Sequence, residues 1–266
     1  MSELVFLKLG GSLITDKHTE AMLRPELVRR IVEEIAAARQ ASPDLQIVLG
    51  HGSGSFGHVP AKKFGTRQGV RTPKQWRGFV EVWRYASALN QAVMGALAAV
   101  SDQPAVAFAP VSSVLAAGGR VQHWNLEPLR RALASGLLPV VYGDVIFDME
   151  LGGTIFSTED LFVHLAAELR PARILLAGSD AGVYDRYPDG EVVGRITPAS
   201  YANLAALPGA SAATDVTGGM ASKVESMLSI VQAQPECTVS IFSGIEEGNI
   251  RNALLGKMLG TTLAAQ

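Results

Sequence analysis

Short runs that are apolar at successive positions, and so apolar on both faces of an extended strand, recur along this chain with helical segments between them. Leu4-Val5-Phe6-Leu7, Gln46-Ile47-Val48-Leu49, Ala105-Val106-Ala107-Phe108, Leu138-Pro139-Val140-Val141-Tyr142, Ile174-Leu175-Leu176 and Thr238-Val239-Ser240-Ile241-Phe242 are of this kind. Strands covered on both faces belong to a largely parallel sheet with helices on each side. The intervening segments have the helical period: Leu27, Val28, Ile31, Val32 and Ile35 share one face over about residues 25–39, with Arg29, Arg30, Glu33 and Glu34 opposite. Further helices are predicted from about Pro73 to Ala99, near Leu126–Ser135 and from about Gly219 to Gln232. The expected fold is α/β, a three-layer αβα sandwich around a central, mainly parallel sheet. The step Leu169-Arg170-Pro171 divides it into lobes of residues 1–170 and 171–266. No Pro/Gly/Ser-rich linker separates them, so they are expected to share one continuous sheet.

Composition narrows the function classes. Of 266 residues, 48% are hydrophobic and 18% charged, which supplies a substantial core and excludes disorder. Lys and Arg number 23 against 25 Asp and Glu, a formal charge of -2, so no basic excess marks a partner in nucleic acid or an anionic membrane. A lone cysteine, Cys237, excludes an internal disulfide framework and a multi-cysteine metal site, and suits a reducing compartment. Met1-Ser2-Glu3-Leu4 lacks the basic flank and cleavage site of a secretory signal, and apolar stretches break well short of the ~20 positions of a membrane span. A cytoplasmic protein is expected.

Glycines cluster where strands end. Gly10-Gly11-Ser12 follows the first strand and Gly52-Ser53-Gly54-Ser55-Phe56-Gly57 the second; Gly143 follows Tyr142, Gly178-Ser179-Asp180 follows Leu176, and Gly218-Gly219 precedes a helix. Ligands of open α/β sheets sit at the carboxyl ends of strands, where glycine lets backbone N–H groups approach an anion and a helix N-terminus adds favourable charge. Any one such turn has an ordinary packing explanation; their convergence on one edge points to phosphate. Residues 52–57 spell G-x-G-x-x-G, yet the second strand with an acidic end that dinucleotide binding needs does not follow. G-x-x-x-x-G-K-[ST], H-E-x-x-H and G-x-S-x-G are absent.

Lys8 ends an apolar strand, Lys17 follows the first glycine loop, and Lys223 falls in the first turn of the helix after Gly218-Gly219-Met220. A lysine at a buried strand end is poorly explained by packing. Three from distant positions could surround a polyphosphate and neutralise charge on a group in transfer. Lys62, Lys63 and Lys257 read as solvated surface residues. Among the histidines, His58 closes a glycine loop where an anion would sit, whereas His51 and His164 read as structural.

Together these motifs resemble the amino acid kinase superfamily and, within it, the isopentenyl phosphate kinases. The resemblance runs through Lys8-Leu9-Gly10-Gly11-Ser12, Thr15-Asp16-Lys17, His51-Gly52-Ser53-Gly54-Ser55-Phe56-Gly57-His58, Tyr142-Gly143-Asp144-Val145, Ser157-Thr158-Glu159-Asp160, Asp180-Ala181-Gly182-Val183-Tyr184-Asp185 and Asp215-Val216-Thr217-Gly218-Gly219-Met220 with Lys223. It implies ATP-dependent phosphorylation of isopentenyl phosphate to isopentenyl diphosphate, with Mg²⁺ accompanying ATP, and a homodimer. By position, His58 would hydrogen-bond the acceptor phosphate, Lys8 and Lys17 would stabilise the γ-phosphoryl group in flight, and Lys223 would hold the ATP phosphates. Gly52, Gly54, Gly57, Gly143 and Asp144 would line the acceptor. Gly10, Gly11, Ser12, Ser53, Asp180, Gly182, Val183, Tyr184 and Gly219 would line the nucleotide. Ser53 stands where the family usually has a third consecutive glycine. Ser157-Thr158-Glu159-Asp160 stands where Ser-Gly-Asp-Asp is usual, so Glu159 would inherit the task of organising the catalytic lysines with a longer side chain.

Trp76, Phe79, Val80 and Trp83 at helical spacing, with Ile146, Phe147 and Ile155, are candidates for an apolar tail pocket. A fosfomycin kinase of the same branch is the near alternative, since its phosphonate presents the same anionic oxygens. From other classes, a silent nucleotide-binding regulator would not need Lys8, Lys17, His58 and Lys223 together, and an NAD-dependent dehydrogenase lacks its acidic strand end.

Overall fold

The computed structural model describes residues 3–16, 19, 21–100, 104–187, 189–201 and 219–266, with backbone alone at 57–60 and 62. In chain order the elements are β1 (Leu4–Leu9), α1 (Gly11–Ile14), α2 (Pro25–Ala41), β2 (Gln46–His51), α3 (Gly54–Phe64), a 3-10 turn (Thr66–Gln68), α4 (Pro73–Ala99), β3 (Ala105–Ala107), α5 (Pro110–Ser113), β4 (Val114–Ala117) and β5 (Arg120–Trp124). There follow α6 (Glu127–Ala134), β6 (Leu138–Tyr142), β7 (Asp144–Asp148), β8 (Gly152–Phe156), α7 (Thr158–Leu169), β9 (Arg173–Gly178), β10 (Arg195–Ile196), α8 (Gly219–Ala233), β11 (Thr238–Ser243), α9 (Asn249–Leu254) and β12 (Thr261–Leu263).

The apolar runs pair as their composition requires. An eight-stranded sheet has the order β10-β12-β11-β9-β1-β2-β6-β3, parallel except where β12 meets β11. It draws strands from both sides of position 170, and side chains alternate between its two faces. Val5, Leu7 and Leu9 join Ile31, Ile35, Leu89, Val93 and Ile250 on one face. Phe6 joins Leu161, Phe162, Leu165, Val224, Met227 and Val231 on the other. Period two therefore sends Lys8 to the face of Phe6, toward α7 and α8.

The helix reading at residues 73–99 coincides with α4. Its start has a sequence cause: Pro73 occupies the first turn, Gln75 N–H donates to Thr72 Oγ1 (3.3 Å), and Gln75 Oε1 accepts from Thr72 N–H (3.0 Å). The run at 105–108 differs from expectation, being a half-buried edge strand of three residues rather than a buried one.

A second, four-stranded sheet, order β5-β4-β7-β8, has no counterpart in the sequence reading. Its strands are four or five residues long and partly exposed, so they lack the continuous apolar runs of the main sheet. Asp148 holds its two turns together, accepting from the N–H groups of Gly118 (3.0 Å), Gly119 (2.7 Å), Glu150 (2.9 Å) and Leu151 (2.8 Å). A Cβ on Gly153 would lie 2.9 Å from the Phe79 ring, so glycine there admits α4 against this sheet.

Candidate active site

Because β9, β1, β2 and β6 are parallel neighbours, their carboxyl ends and the loops that follow lie along one rim. Main-chain pairing continues into those loops: Gly10 N–H donates to Ala177 O (2.7 Å), Gly52 N–H to Leu9 O (2.9 Å) and Gly143 N–H to His51 O (3.2 Å). The first two glycine loops interlock. A Cβ on Gly11 would fall 2.2 Å from the Gly54 nitrogen, and one on Gly54, whose φ is +48°, 2.6 Å from Gly11 O. Glycine is required at both positions by close approach, and at Gly54 by conformation as well.

Lys8, one residue before the end of β1, is 5% exposed and donates to the Glu159 carboxylate, itself 6% exposed in the first turn of α7. The start of that helix is fixed twice. Ser157 and Asp160 form a reciprocal cap, and Thr158 Oγ1 donates to His51 O at 2.6 Å. A carboxylate there also faces the positive end of the helix dipole. Burial alone would push the Glu159 carboxyl up, but the charges of Lys8 and Lys223 and the Lys8 hydrogen bond hold it below the usual carboxylate range. Lys8 of β1 and Glu159 of α7 are thus in contact, and the charge of Lys223 on α8 reaches the same carboxylate. Glu159 spans the gap directly, as its longer side chain allows.

His51 is buried, stacked on Tyr142 (5.3 Å between centroids), with Nδ1 3.2 Å from Gly52 O and Nε2 3.2 Å from Asn90 Oδ1. Burial depresses its pKa despite those contacts, which fits a neutral residue that orients the loop. Asp144, beside Gly143 at the start of β7, is also buried: Oδ1 accepts from Val145 N–H (2.8 Å), Oδ2 has no hydrogen-bond partner among the described residues, and burial pushes its pKa up to about 7.

The aromatic stripe divides. Trp76 and Phe79 face the smaller sheet, Phe79 5.1 Å from Phe147 and 5.2 Å from Trp76, in a cluster with Val70, Val82, Val145, Val111 and Ile155. Val80 and Trp83 point outward, at 50% and 40% exposure, and Ile146 enters the main core instead. These three leave the tail-pocket expectation, for helix and strand parity turns them away from the cluster.

On the other side, Ser12 Oγ lies 3.4 Å from Ser179 Oγ, which sets the loop of Asp180 beside the first glycine loop. Gly182 and Val183 have packing roles that their motif did not announce. A Cβ on Gly182 would meet Val192 Cγ1 at 2.6 Å, and Val183, a core residue, donates its N–H to Thr261 Oγ1 (2.8 Å). Tyr184 stands edge-on to Tyr187, and Gly219 opens α8. Lys17 and the side chain of His58 lie outside the described residues; the backbone of α3 includes His58 and Gly57. Asn90 and Thr158 were missed by the sequence reading. The signal for Asn90 was available, as an amide at a buried position in the apolar stripe of α4.

A rim of interlocked glycine loops around a buried lysine–glutamate pair is the frame of a phosphoryl-transfer enzyme. The chain belongs to the amino acid kinase family, whose model matches residues 3–243. It is 33% identical over 262 residues to the isopentenyl phosphate kinase of Methanothermobacter thermautotrophicus, covering 96% of each chain. With the isopentenyl phosphate kinase of Haloferax volcanii it shares 39% identity over 235 residues, 85% of this chain and 88% of the relative. A solved structure described as "X-ray structures of isopentenyl phosphate kinase" superposes with a TM-score of 0.82 at 29% identity, over 98% of this chain and 100% of the other. Within the family, these matches group the chain with the isopentenyl phosphate kinases.

Proposed function

We propose that this chain transfers the γ-phosphoryl group of ATP to the phosphate of isopentenyl phosphate, giving isopentenyl diphosphate and ADP. The observation that carries the reading is the buried Lys8–Glu159 pair, with Lys223 close enough to act on the same carboxylate, set where two glycine loops meet. An acceptor phosphate oxygen is already anionic and needs no general base, so catalysis reduces to alignment and charge stabilisation. In this reading an acceptor oxygen attacks the γ-phosphorus in line as the bond to the ADP oxygen breaks. Lys8 and Lys17 stabilise the charge on the moving group, and Glu159 orients Lys8. Lys223 and the Gly10–Ser12 loop grip the nucleotide, with Asp180, Gly182, Val183, Tyr184 and Gly219 on its far side. His58 and the Gly52–Gly57 loop hold the acceptor phosphate against Gly143 and Asp144.

The cluster around Phe79 and Val145 supports a prenyl tail over a phosphonate without one, since each buried methylene contributes roughly 0.8 kcal/mol. Mg²⁺ enters this proposal with the nucleotide, whose phosphates commonly hold it. Residues 1–170 form the acceptor lobe and 171–266 the nucleotide lobe. A homodimer in the cytoplasm completes the reading; the outward Val80 and Trp83 of α4 support the dimer, and no helix among the described residues is long and apolar enough to cross a membrane.

The test is ADP release with isopentenyl phosphate, dimethylallyl phosphate, fosfomycin, uridylate, glutamate and carbamate as acceptors. The expected result is the highest kcat/KM with isopentenyl phosphate. Preference for fosfomycin, or no turnover of any prenyl phosphate, overturns the reading.

A further inference from the structure

Thr15 lies just after α1 and is 1% exposed. Its hydroxyl makes two hydrogen bonds of opposite sense: Oγ1 donates to Gly11 O at 2.7 Å and accepts from Ser55 N–H at 3.0 Å. One bond ends on the loop after β1 and the other on the loop after β2. The residue itself is fixed from outside both, since Thr15 pairs with Leu23 in an antiparallel bridge and Arg24 N–H donates to Ile14 O (2.9 Å).

The Ser55 bond has a definite structural purpose. The first N–H groups of a helix lack partners within it, and a side chain at the N-cap normally takes one of them. Ser53 stands at the N-cap of α3 and makes no side-chain cap, so the hydroxyl of Thr15, 40 positions before Ser55, supplies the cap instead. The two loops differ in how they are otherwise held. The first is bound to the sheet through Gly10 N–H and Ala177 O (2.7 Å) and closed by Leu13 N–H on Gly10 O (2.9 Å), independently of Thr15. The loop before α3 is pinned to the end of β1 by Gly52 N–H on Leu9 O (2.9 Å), whereas Phe56 N–H on Ser53 O (3.1 Å) is internal to the first turn of α3, so the Thr15 hydroxyl adds a side-chain tie between the start of that helix and the first loop.

We propose that Thr15 is a positioning residue that sets the separation of the two glycine loops, and with it the distance over which the phosphoryl group moves, without touching either substrate. The proposal rests on the kinase reading above, and it adds that the hydroxyl acts on the acceptor side. Without it the donor loop stays anchored while the first turn of the acceptor helix loses its hydrogen-bonded tie to that loop and an N-terminal cap, and misplacement by about 1 Å can cost on the order of a hundredfold in rate.

The experiment compares Thr15→Val and Thr15→Ala with Thr15→Ser, measuring kcat and both KM values with isopentenyl phosphate, beside wild type. Val and Ala are expected to lower kcat by about tenfold to a hundredfold and raise the acceptor KM by about tenfold, with the ATP KM within about twofold. Ser, which keeps the hydroxyl, restores the acceptor KM. Equal rises in both KM values, unchanged kinetics in Val or Ala, or failure of Ser to restore overturns the proposal. Wild-type turnover in the same assay tests the kinase reading separately. Amide exchange in the ligand-free wild type needs no variant to fold: the Ser55 N–H is expected to be protected, and free exchange there overturns the proposal too.

Discussion

The Lys8 ammonium meets the Glu159 carboxylate across 151 positions of sequence, and both side chains are buried. The pair joins the end of a central strand to the start of a helix on one face of the sheet. Two buried charges cost desolvation that their attraction only partly returns, so removing one partner is worse than removing both. Lys8→Met or Glu159→Leu alone is expected to destabilise by about 3–5 kcal/mol, and the double variant by less than the sum. Urea unfolding at pH 7 checks this cycle, and strict additivity would show that the pair is not coupled. The depressed Glu159 pKa adds a sign: its stabilisation is complete above the ordinary carboxylate range and is lost as pH falls through the lower folded value.

Gly54 is expected to tolerate no side chain. Alanine there would place Cβ 2.1 Å from Thr15 Oγ1 at a left-handed φ of +48°. Gly54→Ala should lose about a hundredfold or more in turnover and lower the melting temperature. Gly194→Ala, where a Cβ meets nothing within 4 Å, should change neither. Equal behaviour of the two variants would remove the interlock from the account.

The roles proposed for His58 and Lys223 separate in binding experiments. His58→Ala is expected to collapse turnover by about a hundredfold or more while ATP affinity stays near wild type, as for a group that acts on the acceptor. Lys223→Ala is expected to weaken ATP binding about tenfold or more, measured by titration calorimetry. Wild-type-like turnover in the His58 variant would end the acceptor-phosphate role.

Much of this was legible in the sequence because burial leaves a simple trace. Strands covered on both faces read as unbroken apolar runs, and β1, β2, β6, β9 and β11 stand where those runs predicted. Lys8 was conspicuous because a charge at the end of such a run has no packing reason. The β4–β5 and β7–β8 pairs were invisible, since strands of four or five residues with one face partly open alternate too briefly to rise above loop composition. Thr15 was hidden differently: its importance lies in what the fold sets opposite it, the Ser55 amide, and no local pattern encodes a partner 40 positions away. Gly182 marks the converse limit. Its motif suggested a ligand, and its contacts with Val192 and Thr261 give it a packing reason as well.

The tail role proposed for the Phe79–Val145 cluster predicts a selective defect. Ile155 is half-buried on β8 against Val145 and Phe79, so Ile155→Ser removes apolar surface without disturbing the glycine loops. Loss of about 1–2 kcal/mol of contact should raise the KM for isopentenyl phosphate roughly tenfold, with the ATP KM unchanged. A matching rise for ATP would mean that the side chain supports the fold rather than the acceptor.

Asp144 predicts how stability and acceptor binding change with pH. Burial raises its carboxyl from an ordinary 3.8 to about 7, outweighing the opposing N–H groups of Val145 and Val111. A raised acid pKa means that the folded protein binds the proton more tightly than the unfolded chain. The stabilisation is therefore present at low pH and falls between about 4 and 7 as the unfolded carboxyl ionises and the folded one does not. Asp144→Asn cannot ionise and lacks that fall, so its stability relative to wild type should improve by about 1–3 kcal/mol between pH 5 and pH 8 in urea titrations. If Asp144 lines the acceptor, its carboxylate repels an anionic phosphate, and the wild-type acceptor KM should rise above pH 7 while that of Asp144→Asn stays flatter. Parallel stability profiles would show that Asp144 titrates normally, and parallel KM profiles that it does not face the acceptor.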